Sequence, residues 1–341
     1  MRFATYNLLD LFDADTAAEQ DRYRQVQEVI GSLAADVLAV QEIRAPQADT
    51  ARTRLRQLAA DAGMKCVVPG PDEEPGRTAL ANGTRGYHCG LLWRSEIEPV
   101  PGSFREAPAG RLWHGAGWLT LDLGGIRVRH ATFHATPFGR RLRADQNELL
   151  LAMLRTGPDR ALPLLIGADW NTESADRVLD EATGNLVLYE PGDPFADVTW
   201  YEGLIHQCDW DYDIRGRRRH WADRRPGDVL FAGGLSDAAA VLRAPWQPTV
   251  GHFAADGYGS RGIRRRIDAI RVTRQVVPAL RAYHVTDTEV ARAASDHLPV
   301  CVDYEPSAAG LSQSQQSGPQ PGSLGTDSGS ERTPETSREA H

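Results

Sequence analysis

The chain has 341 residues, 46 acidic against 38 basic side chains for a formal net charge of −8, and 41% hydrophobic residues. These fractions are those of an ordinary globular protein; they exclude collagen-like, fully disordered and disulfide-scaffold classes, and the acidic balance argues against sequence-independent coating of nucleic acid. No stretch of about 20 apolar residues exists, so no membrane span is expected.

From the N-terminus, Met1–Asn7 lacks a basic region leading into an apolar one, and acids arrive at Asp10, Asp13 and Asp15, so no secretory signal is expected. Residues 2–7 read as a strand. A helix follows over 18–34, with Tyr23, Val26, Ile30 and Leu33 at helical spacing. Residues 36–40 are a short apolar strand ending at Gln41-Glu42. A helix at 52–62 and a strand at 64–68 come next. Strands are expected at 87–94, 117–123 and 126–134, an amphipathic helix at 140–155, and a buried strand at 162–167. A short helix at 236–243 precedes closing strands at 267–273, 279–285 and 297–304. The mixture predicts an α/β domain over 1–305 with much antiparallel sheet. Residues 306–341, rich in Ser, Gln, Gly and Pro, predict a disordered tail. Cys66, Cys89, Cys208 and Cys301 form no CxxC, which fits a reduced, cytoplasmic setting.

The polar residues gather where strands end. Asn7, Glu42 and His134 close their strands, and Asp169 and Asn171 follow one directly. Asp268, Asp296 and His297 open theirs. Taken singly, each is a turn former, a cap or a solvated strand end. As a set they place acids and amide oxygens suited to Mg²⁺ or Mn²⁺ beside two histidines, with no zinc-type Cys/His spacing. Such a set performs metal-assisted hydrolysis of phosphate esters. Asp209-Trp210-Asp211-Tyr212-Asp213 imitates a calcium loop, but Ile214 and His220 occupy the positions that need Gly and Glu.

The motifs ATYNL (4–8), AVQEI (39–43), RHATFHATP (129–137), GADWNT (167–172), RRIDAI (265–270) and ASDHLPV (294–300) resemble, in order, those of the endonuclease/exonuclease/phosphatase superfamily. The resemblance implies a four-layer α/β sandwich, two packed, largely antiparallel sheets flanked by helices. It implies metal ligands Asn7, Glu42 and Asp296, with Asp169 orienting or deprotonating the attacking water and Asn171 holding a phosphate oxygen. Asp268 would fix the tautomer of His297, which acts as base or as stabiliser of the phosphate. His134 would contact the phosphate or protonate the leaving group. Leu9 stands where some relatives place a second acid, and Asp10 would point to the opposite strand face, so one metal is expected. No glutamate precedes the 87–94 strand to partner His134, as deoxyribonuclease-like members have.

The expected function is a divalent-metal-dependent phosphodiesterase or nuclease. A phosphomonoesterase of a small metabolite or lipid headgroup, or an inactive binding module of the same fold, are the alternatives. The arginine-rich segment 214–225, with Arg217, Arg218 and Arg219 beside Trp200, Tyr201, Trp210 and Tyr212, is expected to grip a nucleic acid or nucleotide. The protein is expected to be a monomer.

Overall fold

The computed structural model describes residues 1–12, 14–72, 74–253 and 262–309. In chain order its principal elements begin with β1 (Arg2–Leu11), α1 (Ala17–Leu33), β2 (Val37–Arg44), α2 (Ala48–Asp61), β3 (Tyr87–Arg94), β4 (Ala116–Asp122) and β5 (Arg127–His134). There follow α3 (Arg140–Leu154), β6 (Leu164–Asp169), β7 (Cys208–Tyr212), β8 (Arg218–Ala222), α4 (Arg225–Ala232) and β9 (Leu235–Asp237). The last are α5 (Ala238–Val241), β10 (Asp268–Thr273), β11 (Leu280–Val285), α6 (Glu289–Ala294) and β12 (Val300–Tyr304).

Two seven-stranded sheets pack face to face. One runs β11-β12-β1-β2-β3, the other β9-β10-β6-β5-β4, each completed by short edge pieces. β1 with β2 and β5 with β6 are parallel pairs, and the other neighbours among these strands are antiparallel. Helices α1, α2 and α6 cover the first sheet, and α3 and α4 the second, which gives the expected four layers. α1 forms because Thr16 caps the Glu19 N–H and Val26, Val29, Ile30 and Leu33 make one buried stripe.

Between the sheets, strand alternation sorts the side chains. β6 sends Leu164, Ile166 and Ala168 outward onto Leu150, Leu151 and Leu154 of α3, and Leu165 inward. The inner layer turns polar toward one end. There the Gln41 amide donates to Thr5 Oγ1 and Thr132 Oγ1, both at 3.1 Å. Gly167 lies in this layer, where a Cβ would stand 2.7 Å from Thr5 Cβ and 3.1 Å from Ala39 Cβ. Glycine is required here by the closeness of the two sheets.

The structure refines several boundaries. The expected 236–243 helix divides into β9 and α5, and the 297–304 strand starts only at Val300. The helices α4 and α6 and a hairpin at 177–188 are additions to the expected elements. All four cysteines are buried and unpaired. Among the described residues no helix is long and apolar enough to cross a membrane. Pro306–Ala308 form a turn with Pro306 buried, and residues 310–341 of the expected tail lie outside the described residues.

Candidate active site

The inward alternation that buries Leu165 continues to Asp169, and the same holds for His134 on β5 and Asp268 on β10. Register places His134, Asp169 and Asp268 in one row across β5, β6 and β10. Asn7 reaches the row from β1 of the facing sheet. Glu42 arrives differently. The β1–β2 register slips beyond Asn7, and Glu42, Leu9 and Asp10 all take left-handed backbone, with φ of 64°, 50° and 47°. Each such non-glycine position costs roughly 1–3 kcal/mol, and such strain is concentrated at functional sites. The bulge carries Glu42 into the cluster. It also breaks the extended geometry that the expected orientation of Asp10 requires; the Asp10 N–H donates to Glu42 Oε2 at 2.9 Å.

The cluster is tight. Asn7 Nδ2 donates to Glu42 Oε1 and to Asp169 Oδ2, both at 3.0 Å. His134 Nε2 lies 3.2 Å from Asp169 Oδ2 and 3.8 Å from Glu42 Oε1. His297 Nδ1 donates to Asp268 Oδ2 at 2.8 Å, which leaves its Nε2 3.8 Å from Asp169 Oδ2 and 3.9 Å from Asp296 Oδ1. Asn171, at φ 50°, donates its N–H to Asp169 Oδ1 and its side-chain amide to Ala135 O. The structure thus gathers Asn7, Glu42, His134, Asp169, Asn171, Asp268, Asp296 and His297 into one site.

Burial pushes the Glu42 carboxyl above the usual carboxylate range against the pull of His134, and Asp296 pushes it further. Asp169 is as buried, but His297 and His134 hold it below that range, as a carboxylate. Burial works against a charged His297, yet Asp268, Asp296 and Asp169 outweigh it and hold the imidazole well above its ordinary value. His134 is raised in the same way, its burial overcome by Asp169 and Glu42.

The donor set fits a hard cation. Asp296 Oδ1 is buried and accepts no hydrogen bond, and the crowded Glu42 carboxyl would be relieved by positive charge. Potential ligand atoms of Glu42, His134 and Asp169, and of Asp169, Asp268 and His297, lie within 4.8 Å of one another. Asp296 lies outside both groups.

Arg217, Arg218 and Arg219 stand on the exposed β7–β8 hairpin. Arg217 pairs with Asp213 at 2.8 Å and Arg219 with Asp211 at 2.7 Å, while Arg218 lies 4.3 Å over the Trp200 ring. The base of the hairpin is tied to the segment after His134, where Gly139 N–H donates to His206 and Arg140 to Cys208 O.

Three contributors escape sequence reasoning. Ser295 Oγ donates to Asn7 O and accepts the His297 N–H, pinning the 295–297 turn to β1. Thr249 Oγ1 accepts the N–H groups of Ile267 and Asp268. His114 packs at a tilt against His134, with ring centroids 4.0 Å apart, and is held neutral, pushed down to about 2 by burial and by the His134 charge. The Ser295 turn to His297 is local, but its bond to Asn7 and the Thr249 and His114 contacts are tertiary, and no local pattern marks those.

A family profile described as "Endonuclease/Exonuclease/phosphatase family" matches residues 4–297. No curated protein matches the sequence. Among solved structures, an endonuclease/exonuclease/phosphatase from Bacteroides vulgatus superposes with a TM-score of 0.56 at 16% identity, covering 89% of this chain and 98% of that one. A mannosyl-6-phosphatase from Bacteroides thetaiotaomicron gives 0.53 at 14% identity, covering 89% and 99%. An AP endonuclease from Archaeoglobus fulgidus gives 0.53 at 16%, covering 89% and 99%. At these identities the likenesses carry the fold alone.

Proposed function

The chain belongs to the endonuclease/exonuclease/phosphatase family, and from that membership we propose that it is a divalent-metal-dependent phosphodiesterase. The observation that carries the reading is the convergence of Asn7, His134 and His297 on one carboxylate oxygen, Asp169 Oδ2, at 3.0, 3.2 and 3.8 Å.

Glu42 and Asp296 are the residues that would hold Mg²⁺ or Mn²⁺; the Asn7 oxygen accepts the Leu9 N–H at 3.1 Å, so Asn7 would join them only with its amide turned over. A bound cation supplies Lewis acidity to the phosphate and neutralises developing charge. Asp169, kept as a carboxylate, accepts a proton of the attacking water and orients its lone pair toward phosphorus. His297 is held charged, so its role is stabiliser rather than base; Asp268 fixes Nδ1–H and aims Nε2 into the site. His134, also held charged, donates a proton toward the leaving oxygen. Asn171 has one amide hydrogen on Ala135 O and directs the other at a phosphate oxygen.

The cations that face the phosphate in this reading are His134, His297 and the metal ion; they suit the single charge of a diester and equally the two charges of a monoester, so the substrate panel decides. The likenesses to a mannosyl-6-phosphatase and to an AP endonuclease are equal in TM-score, so they do not choose. Assay of bis-p-nitrophenyl phosphate, single-stranded and duplex DNA, RNA and phosphomonoesters, each with Mg²⁺, Mn²⁺ and Ca²⁺, tests the reading. Turnover confined to monoesters would overturn it.

A further inference from the structure

His134 is the first member of a run of ring contacts that leads out of the buried cluster. It packs at a tilt against His114, which meets Trp113 at 6.4 Å between centroids. Trp113 meets Phe138 edge-to-face at 6.2 Å, and Phe138 meets His206 at 5.2 Å. The run ends in the open: Trp113 is half-buried, and Phe138 is 40% exposed although it lies only four residues after His134. Phe138 packs against Trp113 and His206 in edge-to-face contacts that leave two-fifths of it open to solvent.

One guanidinium completes the rim. Arg85 lies 4.6 Å over the Trp113 ring, is exposed, and has no acidic partner among the described residues. Its backbone is left-handed at φ 58°, a strained state for arginine, and the surrounding loop enforces it. Thr84 N–H donates to Trp113 O at 3.0 Å, and Arg44 Nη1 donates to Arg85 O at 2.5 Å. Gly83 packs so closely that a Cβ would meet Tyr87 O and His114 O. The 83–87 loop is therefore zipped onto the 113–115 segment, which fixes the backbone from which Arg85 reaches the Trp113 ring. By contrast, Arg217 and Arg219 on the β7–β8 hairpin are already neutralised by Asp213 and Asp211.

We propose that Trp113 and Phe138 form a stacking subsite for a nucleobase adjoining the scissile phosphate, with Arg85 meeting the phosphate that flanks that base. The inference rests on the phosphodiesterase reading and narrows its substrate to nucleic acid with unpaired bases. Flat aromatic faces accept any base, and a guanidinium beside them supplies the backbone contact, the combination used for single strands. An aliphatic diester has nothing to place on these rings.

The test is binding without turnover. Fluorescence anisotropy of a labelled oligothymidylate and of a matched abasic strand is measured in EDTA, for the parent and for Trp113→Ala, Phe138→Ala and Trp113→Phe. Each alanine variant weakens binding of the oligothymidylate roughly tenfold and leaves the abasic strand unchanged. Trp113→Phe, which keeps a ring, retains most of the affinity. Equal losses on both strands, no loss on either, or a parent that binds no strand would each overturn the subsite. Hydrolysis of bis-p-nitrophenyl phosphate by the parent is followed in parallel. Base-dependent binding without diester turnover would fail the proposed reaction and leave the subsite standing; diester turnover with unaltered strand binding in Trp113→Ala would fail the subsite alone.

Discussion

Asp268→Asn probes the electrostatics of the site with the least change in shape. The carboxylate accepts His297 Nδ1–H at 2.8 Å, with both groups buried. An asparagine oxygen still accepts that bond, so ring orientation survives while the negative charge is lost. A hydrogen bond between charged partners contributes about 1.5–3 kcal/mol, and each 1.4 kcal/mol is about tenfold in rate. The expected loss in kcat/KM is therefore roughly ten- to a hundredfold, smaller than that of His297→Ala. The pH profile carries the sharper signature. His297 works charged, so activity is present below its raised pKa and falls as pH rises through it. Without Asp268 the imidazole keeps only Asp169 and Asp296, at 3.8 and 3.9 Å, so its pKa drops and the alkaline limb moves to lower pH. The assay is the rate on bis-p-nitrophenyl phosphate with saturating Mg²⁺ across about pH 5 to 10. An alkaline limb that stays in place while the rate falls would refute the stabiliser role; an unchanged rate at every pH would remove the pair from the mechanism.

Glu42→Gln is expected to lower turnover more than about 100-fold, the scale of losing a central electrostatic group. Because burial opposes the Glu42 charge, its melting temperature near pH 8 should equal or exceed the parent's, and parent-like hydrolysis would discard the metal assignment. Gly167→Ala should cost roughly 1–3 kcal/mol in urea denaturation, as overpacking does, because its Cβ meets Thr5 and Ala39. It should also weaken activity by parting Asn7 from Asp169, and a neutral result would contradict the close sheet approach. Glu190, buried beside Arg266 and Arg224, is pushed up to about 7 chiefly by burial. Its favourable contribution is complete below the usual carboxylate range and is lost as pH rises through about 7. Glu190→Gln should therefore gain stability relative to the parent between about pH 5 and 8, and a flat difference in melting temperature would show that the group is ionised throughout.

Period-two alternation makes most of the site legible in the chain itself. Asn7, His134 and Asp169 are the next inward positions after Thr5, Thr132 and Gly167, and Asp268 is the one before Ile270, so a correct strand register carries them into the cleft. Glu42 is legible as a residue but not as a geometry. The sequence reads as a strand that ends at Gln41-Glu42, whereas β2 continues to Arg44, and the left-handed turn that aims Glu42 is imposed by the bulge opposite Leu9 and Asp10. The opening of β12 departs from expectation for a similar reason. The strand expected from His297 begins only at Val300, because Ser295 commits its hydroxyl to Asn7 O and His297 N–H and turns the chain there. His114 is invisible because its meaning lies wholly in a neighbour twenty residues away. The arginine segment shows its charge plainly; that two of its guanidiniums meet acids of the same hairpin emerges only from the β7–β8 pairing.

The pairing of β1 with β12 joins the first strand to the last among the described residues, with the Met1 ammonium donating to Tyr304 O and Ser295 to Asn7 O. A ribosome therefore delivers Asn7 and Glu42 long before the strand that seats beside them. Until residues through about Tyr304 have emerged, β1 has an open edge and the cluster lacks Asp268 or His297. Closing so long a loop makes this a slow, late step of folding. Hydrolytic activity should thus appear abruptly with the last strand, and nascent chains halted short of it should show none. The same adjacency of Met1 and Tyr304 makes a direct link between them a natural seam for circular permutation, with a new break in an exposed loop such as 214–216.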